Sequence, residues 1–470
     1  MLNSRKLLFD QFTPITMFAK LQTHFEGELS FLFESAINNT EGNFSFLFVG
    51  ARERIVHQKD YSVYIDEKGI SHDIGNNPFK FLKQHYALID KERYKNYTQE
   101  LGVGFVDGFI GYIGYDAVKI FEPRLSSHMD GLKDDINIPD IDLMRPKLVC
   151  VFSHKSNTLT LLTFVESMAK QLDTIEALLK EPHVYLPIKK SVVDKTKGSF
   201  AFSQEHFFEM VAQSKEMILS GDVFQILMSN RFIQYTNIDR LSFYRLLRHK
   251  NPSPYMFFLS YPRFAIIGSS PEVMVGLKEG RIILRPIAGT RKRGKTYDKD
   301  MAYEAELLSD EKERAEHLML IDLGRNDLGR VAKVGTVCVK DMMRVERYSH
   351  VMHLVTDIEA TLDVKYDMFD LFAATFTAGT MTGTPKIRAM ELISDLEGIK
   401  RSFYSGAVGY FGFDGNMDSG IMIRTAYLDD EKIIFQAGAG IVADSQAEFE
   451  YLEVTNKLGA MTSTLDDLNG

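Results

Sequence analysis

The chain has 470 residues, of which 45% are hydrophobic and 25% are charged, proportions that are typical of a globular protein and exclude a disordered or fibrous chain. Its formal net charge of −9 at pH 7 argues against broad binding to nucleic acid or to an anionic membrane surface. The two cysteines, Cys150 and Cys338, exclude a disulfide framework. No apolar run approaches the roughly 18 residues that span a bilayer, and the start lacks a signal-peptide pattern, so we expect a cytoplasmic protein.

The chain before residue 181 mixes strand-like and helix-like segments. The segments "NFSFLFVGA" and "GFIGYIGYDAV" predict strands, and "ESMAKQLDTIEALLKE" predicts a helix. Residues 181–198, "EPHVYLPIKKSVVDKTKG", have two prolines, four lysines and weak periodicity, which is typical of a linker. We therefore expect an N-terminal region over residues 1–180 and a second region over residues 199–470.

The region after the linker alternates strands with helices. It opens with "SQEHFFEMVAQSKEMILSG", which predicts a helix because Ser203 fits an N-cap and apolar residues recur at helical spacing. Hairpin-length turns such as "KEGR" and "DGN" favour a largely antiparallel sheet over a doubly wound parallel one. The later predicted helices are "AYEAELLSDEKERAEHLMLIDLGRNDL", "YDMFDLFAATF", "TPKIRAMELISDLEG" and "QAEFEYLEVTNKLGAMTSTL". The predicted fold class is α+β, with helices packed outside an antiparallel sheet.

Two of these predicted helices carry carboxylate pairs at a spacing of three residues. Glu313 and Glu316 form one pair, and Glu450 and Glu453 form the other. This spacing puts each pair on one face of its helix. Four carboxylates from two helices fit a hard cation such as Mg²⁺, whereas the alternative is a solvated acidic surface.

Three glycine-rich turns follow apolar strands, namely "IAGT", "TAGTMTGTPK" and "QAGAGI". Glycine lets backbone amides approach an anion, although each turn alone is also consistent with a tight bend. No segment has the P-loop pattern, so nucleoside triphosphate binding is not supported. Arg424 lies in a nearby strand-like segment and favours carboxylate recognition. His353 is either a buried core residue or a proton donor.

Seven segments resemble the signature blocks of the chorismate-utilising enzymes. They come in the family's order, cover roughly residues 200–465, and are "PIAGTRKRG", "EHLMLIDLGRNDLGRV", "VERYSHVMHLV", "GTMTGTPKIRAMELI", "YSGAVGYF", "IMIRTA" and "QAGAGIVADS". The resemblance implies an antiparallel two-sheet β-sandwich flanked by outer helices. It also implies that the region 199–470 binds chorismate in a cleft.

The resemblance implies roles for particular residues around Mg²⁺ and chorismate. Glu316 and Glu453 would bind the metal directly, and Glu313 and Glu450 directly or through water. The residues expected around the carboxylates and the enolpyruvyl group of the substrate are Gly289, Thr290, Tyr404, Arg424, Gly438, Ala439 and Gly440. The residues expected at the reacting atoms are His353 beside the departing 4-hydroxyl, Glu272 as proton donor or shuttle, Thr380 lining the pocket, and Gln225.

Two positions separate the branches of this family. Ala288 stands where the aminodeoxychorismate-forming branch typically has a nucleophilic lysine, and Gln225 stands where the isochorismate- and salicylate-forming branches typically have a basic lysine. Neither alanine nor glutamine supports that chemistry. The resemblance therefore implies addition of ammonia at C2 of chorismate and release of pyruvate to give anthranilate, the aminodeoxychorismate branch being the alternative.

The resemblance also implies two partners of the chain. The sequence lacks a glutaminase-like cysteine elbow, so ammonia is expected from a separate glutamine amidotransferase subunit. "FLFESA" resembles the family's "LLES" element, with a Phe in place of one Leu, and predicts a site for L-tryptophan as feedback inhibitor. The residues expected at that site are Glu34, Ser35, Pro254, Tyr255, Met256, Val408 and Tyr410. A tryptophan-binding protein without catalysis is the alternative from a different functional class.

Overall fold

The computed structural model describes residues 1–35, 44–182, 184–348 and 351–470. The strands are β1 (Asn3–Leu8), β2 (Ser30–Glu34), β3 (Phe44–Gln58), β4 (Tyr61–Ile65), β5 (Ser71–Asp73), β6 (Gly108–Ile113), β7 (Ile141–Ser153), β8 (Thr158–Thr163), β9 (Gly198–Phe200), β10 (Gln225–Tyr235), β11 (Tyr255–Ser260), β12 (Ala265–Ser270), β13 (Val273–Lys278), β14 (Arg281–Leu284), β15 (Ile287–Lys292), β16 (Cys338–Arg347), β17 (Val351–Thr361), β18 (Gly383–Thr384), β19 (Ala407–Gly412), β20 (Met417–Ile421), β21 (Thr425–Leu428) and β22 (Lys432–Ile441).

The helices are α1 (Pro14–His24), α2 (Pro78–Ala87), α3 (Lys91–Leu101), α4 (Ser126–Met129), α5 (Glu166–Ala169), α6 (Leu172–Lys180), α7 (Gln204–Leu219), α8 (Arg240–Lys250), α9 (Tyr297–Ser309), α10 (Glu311–Gly329), α11 (Met368–Thr375), α12 (Lys386–Glu397) and α13 (Ala447–Leu468). Short 3₁₀ turns lie at Tyr115–Ile120, Pro123–Leu125, Lys195–Lys197 and Gly379–Met381. No helix of the described ranges is both long enough and apolar enough to cross a membrane.

The strands form one hydrogen-bonded network in which the described strands pair antiparallel. The long strands β3 and β7 pair along most of their length, and two long branches leave them, besides the short extensions β4–β5 and β8–β1. One branch runs from β3 through β2, β11, β12, β21 and β22 to β10. The other runs from β7 through β6, β19, β20, β13 and β14 to β17, which also pairs with β15 and β16.

Two large apolar clusters hold this network together. One contains buried side chains of both branches, such as Phe257 of β11 and Val275 of β13. The other lies between β11, β12, β21 and β22 and helices that include α1, α7, α8 and α13. Burial of these side chains stabilises the fold by roughly 25 cal/mol per Å² of apolar surface. The predicted α+β class with an antiparallel sheet and outer helices is confirmed, and the division into two separate sheets stays a prediction.

Strands from before and after the predicted linker alternate in the network. Glu34 of β2 lies opposite Met256 of β11, and Tyr112 of β6 lies opposite Val408 of β19. The described residues 184–190 of the linker form no helix or strand. Separate units before and after residues 181–198 stay a prediction, but both parts contribute strands to the same core.

The helix predicted from Ser203 is confirmed, and two others are interrupted. The Ser203 hydroxyl accepts a hydrogen bond from the amide of His206 at 3.2 Å, which caps α7 as expected. The single helix predicted over 302–328 is wrong, because the structure has α9 and α10 with Asp310 between them. The Asp310 carboxylate accepts from the amides of Lys312 at 3.0 Å and Glu313 at 3.1 Å, so it starts a new helix. The segment from residue 166 likewise forms two helices, α5 and α6.

Candidate active site

The turn at Gly289 brings strand β15 close to helix α10. Gly289 has φ of +63°, a left-handed conformation that favours glycine, and the register against β17 shifts between Ala288 and Thr290. A Cβ at Gly289 would lie 3.0 Å from Cδ1 of Leu307 and 3.1 Å from Oε2 of Glu313. Glycine therefore allows a carboxylate of α10 to lie directly against the turn.

His353 of β17 is held by the same turn. Its Nδ1 lies 3.0 Å from the carbonyl O of Gly289 and 3.1 Å from Oγ1 of Thr290. Because a carbonyl only accepts, Nδ1 carries the proton and Nε2 is the acceptor in the neutral ring. Burial lowers the pKa of His353, and the nearby Arg424 lowers it further. The ring also makes an edge contact with Tyr348, with centroids 5.6 Å apart.

Glu272 is a buried acid between β12 and β13. Its Oε1 accepts a hydrogen bond from the Thr380 hydroxyl at 2.8 Å, and the residue is 8% exposed. Burial raises the pKa of Glu272 to about 7, although Thr380, Lys457 and Arg424 each lower it. A cavity of about 40 Å³ borders Glu272 and Thr380. The side chain can therefore hold or release a proton near neutral pH.

Arg424 is a partly buried cation between β20 and β21. Its φ is +49°, and its carbonyl accepts from the amide of Ser269 at 3.0 Å. Burial lowers the pKa of Arg424, although Glu272 and Tyr348 nearby raise it. Its guanidinium has no hydrogen-bond or ion-pair partner among the described residues. A partly buried guanidinium without a protein partner remains available to an anionic ligand, which it can bind bidentately.

The glycines of β22 let two polar side chains approach the strand. Gly438, Ala439 and Gly440 pair with Ser229, Met228 and Leu227 of β10. A Cβ at Gly438 would lie 3.1 Å from the hydroxyl of Tyr404, which is 2% exposed. A Cβ at Gly440 would collide with the side-chain amide of Gln225. Side chains at these two positions would therefore displace groups that line the strand.

The four predicted metal-binding glutamates of α10 and α13 are linked by pairwise electrostatic interactions. Burial raises the pKa of Glu316, and the carboxylates of Glu313 and Glu453 raise it further. Burial also raises the pKa of Glu450, and Glu453 adds to the effect. Gln225 also contacts one of these glutamates, because its Nε2 donates to Oε1 of Glu316 at 3.4 Å. Carboxylates that repel one another suit a hard cation.

The carboxylates are spread too widely to form a complete cage by themselves. Within the described ranges, no three side chains of the types His, Cys, Asp or Glu are grouped closely enough to hold a metal ion. Mg²⁺ generally keeps waters and substrate oxygens among its ligands, so an incomplete protein set is compatible with it. The metal site stays a prediction.

Three residues that the sequence analysis did not single out complete the surroundings of the site. Lys457 binds Glu453 at 2.7 Å and donates to the carbonyl O of Gly438 at 2.9 Å. Arg291 donates to Oε1 of Glu313 at 2.9 Å, and Tyr348 contacts His353. Lys457 was detectable in the sequence, because it follows Glu453 by four residues on a helix. The contacts of Arg291 and Tyr348 depend on tertiary packing.

The residues predicted for tryptophan lie on strands of both branches. Glu34 is buried at the end of β2, and its carboxylate accepts from the Tyr244 hydroxyl at 2.9 Å and from Nε and Nη2 of Arg248 at 2.8 Å each. Ser35 follows it directly, and Met256 lies opposite it on β11. Pro254 precedes β11. Glu34 already has charge-assisted partners, unlike Arg424.

The other tryptophan-site residues meet at Asp418 and Gly420 of β20. The Tyr255 hydroxyl donates to Oδ1 of Asp418 at 2.9 Å, and Tyr410 lies opposite Asp418 in the strand pairing. Val408 lies opposite Gly420, where a Cβ would lie 2.7 Å from Cγ of the Tyr255 ring. Tyr255, Val408 and Tyr410 therefore share one neighbourhood. Binding of tryptophan there stays a prediction.

Comparison with known proteins agrees with the sequence blocks. A family described as chorismate binding enzyme matches residues 30–463. The chain is 40% identical to anthranilate synthase component 1 of Aquifex aeolicus over 98% of this chain and 94% of that protein. It is 45% identical to anthranilate synthase component 1 of Acinetobacter calcoaceticus over 77% of this chain and 75% of that protein.

A solved structure has the same overall arrangement. The crystal structure of anthranilate synthase component I from Streptococcus pneumoniae TIGR4 superposes with a TM-score of 0.77 at 33% sequence identity. The match covers 91% of this chain and 93% of that one. The similarity therefore extends over both the N-terminal strands and the site region.

Proposed function

The chain belongs to the family of chorismate binding enzymes, and on this premise we propose that it converts chorismate and ammonia to anthranilate, pyruvate and water. The observation that carries the proposal is the similarity to anthranilate synthase component 1 over almost the entire chain. Ala288 supports amination by free ammonia, because its methyl group cannot act as a nucleophile on the ring. Gln225 also supports amination by ammonia over addition of water, because an amide is a poor base for activating water.

Two groups recognise the carboxylates of chorismate in this proposal. Arg424 has a partly buried guanidinium without a partner among the described residues, which fits a bidentate carboxylate. The Gly289–Thr290 turn and the strand at Gly438 and Gly440 offer backbone close to the same space, where Tyr404 supplies a hydroxyl. These contacts orient the ring and exclude water from it.

The donor set of α10 and α13 suits Mg²⁺, because carboxylate oxygens are among its preferred ligands. Burial raises the pKa of Glu316, and its neighbours Glu313 and Glu453 raise it further. We propose Glu316 and Glu453 as direct ligands, with Glu313 and Glu450 binding directly or through water. Bound Mg²⁺ supplies Lewis acidity toward the ring carboxylate. The protein residues then bind the substrate and move protons.

Proton transfer in this proposal falls to Glu272 and His353. Glu272 is partly protonated near neutral pH because burial raises its pKa to about 7, so its protonated form supplies a proton to the departing 4-hydroxyl as ammonia adds at C2. His353 has a lowered pKa and an unprotonated Nε2, so it suits accepting a proton better than donating one. Loss of the C2 proton and of the enolpyruvyl group as pyruvate then makes the ring aromatic.

Ammonia and feedback control involve further molecules in this proposal. A glutamine amidotransferase subunit supplies ammonia, in line with the designation "component 1" of the relatives. L-tryptophan inhibits by binding near Glu34, Tyr255 and Tyr410. Tyr255 lies opposite Ser270, which is two residues before Glu272. A displacement of Tyr255 on tryptophan binding would therefore be transmitted through the strand backbone to Glu272.

The experiment that tests the function measures anthranilate fluorescence from the purified chain. Chorismate, Mg²⁺ and ammonium chloride are supplied at mildly alkaline pH, where free NH₃ is present. We expect a signal that EDTA abolishes and that tryptophan suppresses. Consumption of chorismate with a 4-amino product would instead support the aminodeoxychorismate alternative. Untouched chorismate with retained tryptophan binding would support a binding protein without catalysis.

A further inference from the structure

Arg291 of β15 binds three carboxylates from two helices and the residue between them. Its Nε donates to Oε1 of Glu306 on α9 at 2.8 Å, and its Nη2 donates to Oδ2 of Asp310 at 2.7 Å. Its Nη1 donates to Oε1 of Glu313 on α10 at 2.9 Å. One guanidinium therefore fixes the break between α9 and α10 relative to the Gly289 turn on the same strand.

The contact with Glu313 determines which of its oxygens faces the site. Oε1 is bound to Arg291, whereas Oε2 is the atom 3.1 Å from the position of a Cβ at Gly289. Oε2 thus lies toward the turn, while Oε1 lies toward Arg291. A rigid guanidinium fork holds such a geometry better than the flexible ammonium of a lysine.

The charge of Arg291 is already balanced without Glu313. Glu306 and Asp310 contribute two carboxylates, and the Arg291 side chain is 20% exposed, so solvent screens what remains. Glu313 therefore keeps its capacity to bind a cation or a metal-bound water through Oε2. Carboxylates that ligate metals are commonly oriented by an outer hydrogen-bond donor.

We propose that Arg291 is a positioning residue that orients Glu313 and the Gly289–Thr290 turn for Mg²⁺ and chorismate. This proposal rests on the proposed function. Loss of such an outer partner typically weakens metal binding by about 10- to 100-fold. Arg291 touches no reacting atom, so the effect should fall on Mg²⁺ affinity and on KM for chorismate more than on kcat at saturating Mg²⁺.

The test compares Arg291→Met and Arg291→Lys with the matched control Arg293→Met in the full chain. Arg293 lies just past the end of the same strand and binds Asp300 of α9 through Nη2 at 2.8 Å, but it does not contact Glu313. Calorimetric titration with Mg²⁺ alone measures binding without turnover, the Mg²⁺ activation constant measures it during turnover, and thermal unfolding reports folding. Arg291→Lys keeps the charge and carries the test if Arg291→Met does not fold.

We expect both Arg291 variants to bind Mg²⁺ about tenfold more weakly or worse. Arg293→Met should lower the unfolding midpoint but keep the wild-type Mg²⁺ affinity. Unchanged or tighter Mg²⁺ binding in the Arg291 variants would overturn the positioning role while leaving the proposed function intact. A wild-type chain that neither binds Mg²⁺ nor forms anthranilate would overturn the proposed function, and the inference with it.

Discussion

The candidate active site and the region of Glu34 treat buried charge in opposite ways. Arg424 lies partly buried without a partner among the described residues, whereas the buried Glu34 carboxylate accepts three hydrogen bonds from Tyr244 and Arg248. Burial raises the pKa of Glu272 to about 7, although Arg424 nearby lowers it, so this acid is about half protonated at neutral pH. A region whose charges are left unmatched can bind a charged ligand directly, whereas the paired charges in the region of Glu34 already stabilise the fold before any ligand binds.

The largest effect is expected at Glu272. Glu272→Gln should lower kcat by roughly a thousandfold, because general acid catalysis typically contributes about 10²–10⁴. Steady-state kinetics at a fixed concentration of NH₃ would measure this, and wild-type kcat should fall above a pH of about 7 as Glu272 loses its proton. A variant with wild-type kcat would remove Glu272 from the chemistry.

The same substitution should also change how stability depends on pH. The pKa of Glu272 is about 7 in the folded chain against 4.5 for the free group, so the folded state holds an extra proton between these values. The free energy of unfolding therefore falls as pH rises through this window. Denaturant unfolding at several pH values should show that Glu272→Gln lessens this fall. An identical pH profile in both proteins would contradict the raised pKa.

The next largest effect is expected at Arg424. Arg424→Met should lower kcat/KM for chorismate by about 3 kcal/mol, roughly a hundredfold, because the substrate carboxylate loses its partly buried partner. Thermal unfolding should show no loss of stability, since the guanidinium pairs with no described side chain. Loss of stability with unchanged kcat/KM would mean that this cation is structural.

Arg248→Met is the matched change in the region of Glu34. Removing this donor leaves the buried Glu34 carboxylate with Tyr244 alone, at a cost of about 2 kcal/mol because Arg248 is partly exposed. Denaturant unfolding should detect the loss, while kcat/KM for chorismate stays near the wild-type value. Arg424→Met is expected to do the reverse, lowering kcat/KM and leaving stability unchanged. If both variants changed the same quantity, the two regions would not differ in the role of their charges.

Tyr244→Phe should give the smallest effect. The hydroxyl donates one hydrogen bond to Glu34 at 2.9 Å, and its loss should lower the free energy of unfolding by about 1 kcal/mol. The Arg248 contacts remain, so kinetics with chorismate should not change. An unfolding curve identical to that of the wild type would mean that Arg248 alone satisfies Glu34.

Local patterns in the sequence determined much of the fold and the site. Ser203 predicted the start of α7, and the turn "KEGR" predicted the hairpin between β13 and β14, because capping and turn formation depend on neighbouring residues. The spacing of Glu313 and Glu316 put both on one face of α10. The family blocks predicted the residues that gather around Gly289 and His353, since an ordered set of motifs fixes positions that no single pattern can.

The tertiary structure alone decided the remainder, because those features depend on contacts between distant parts of the chain. Asp310 splits one predicted helix in two, and Arg291 binds its carboxylate across the break. The pairing of Glu34 with Arg248 joins residues far apart in sequence. Whether Arg424 is paired among the described residues is likewise a property of packing, because its neighbours Glu272 and Tyr348 come from other parts of the chain.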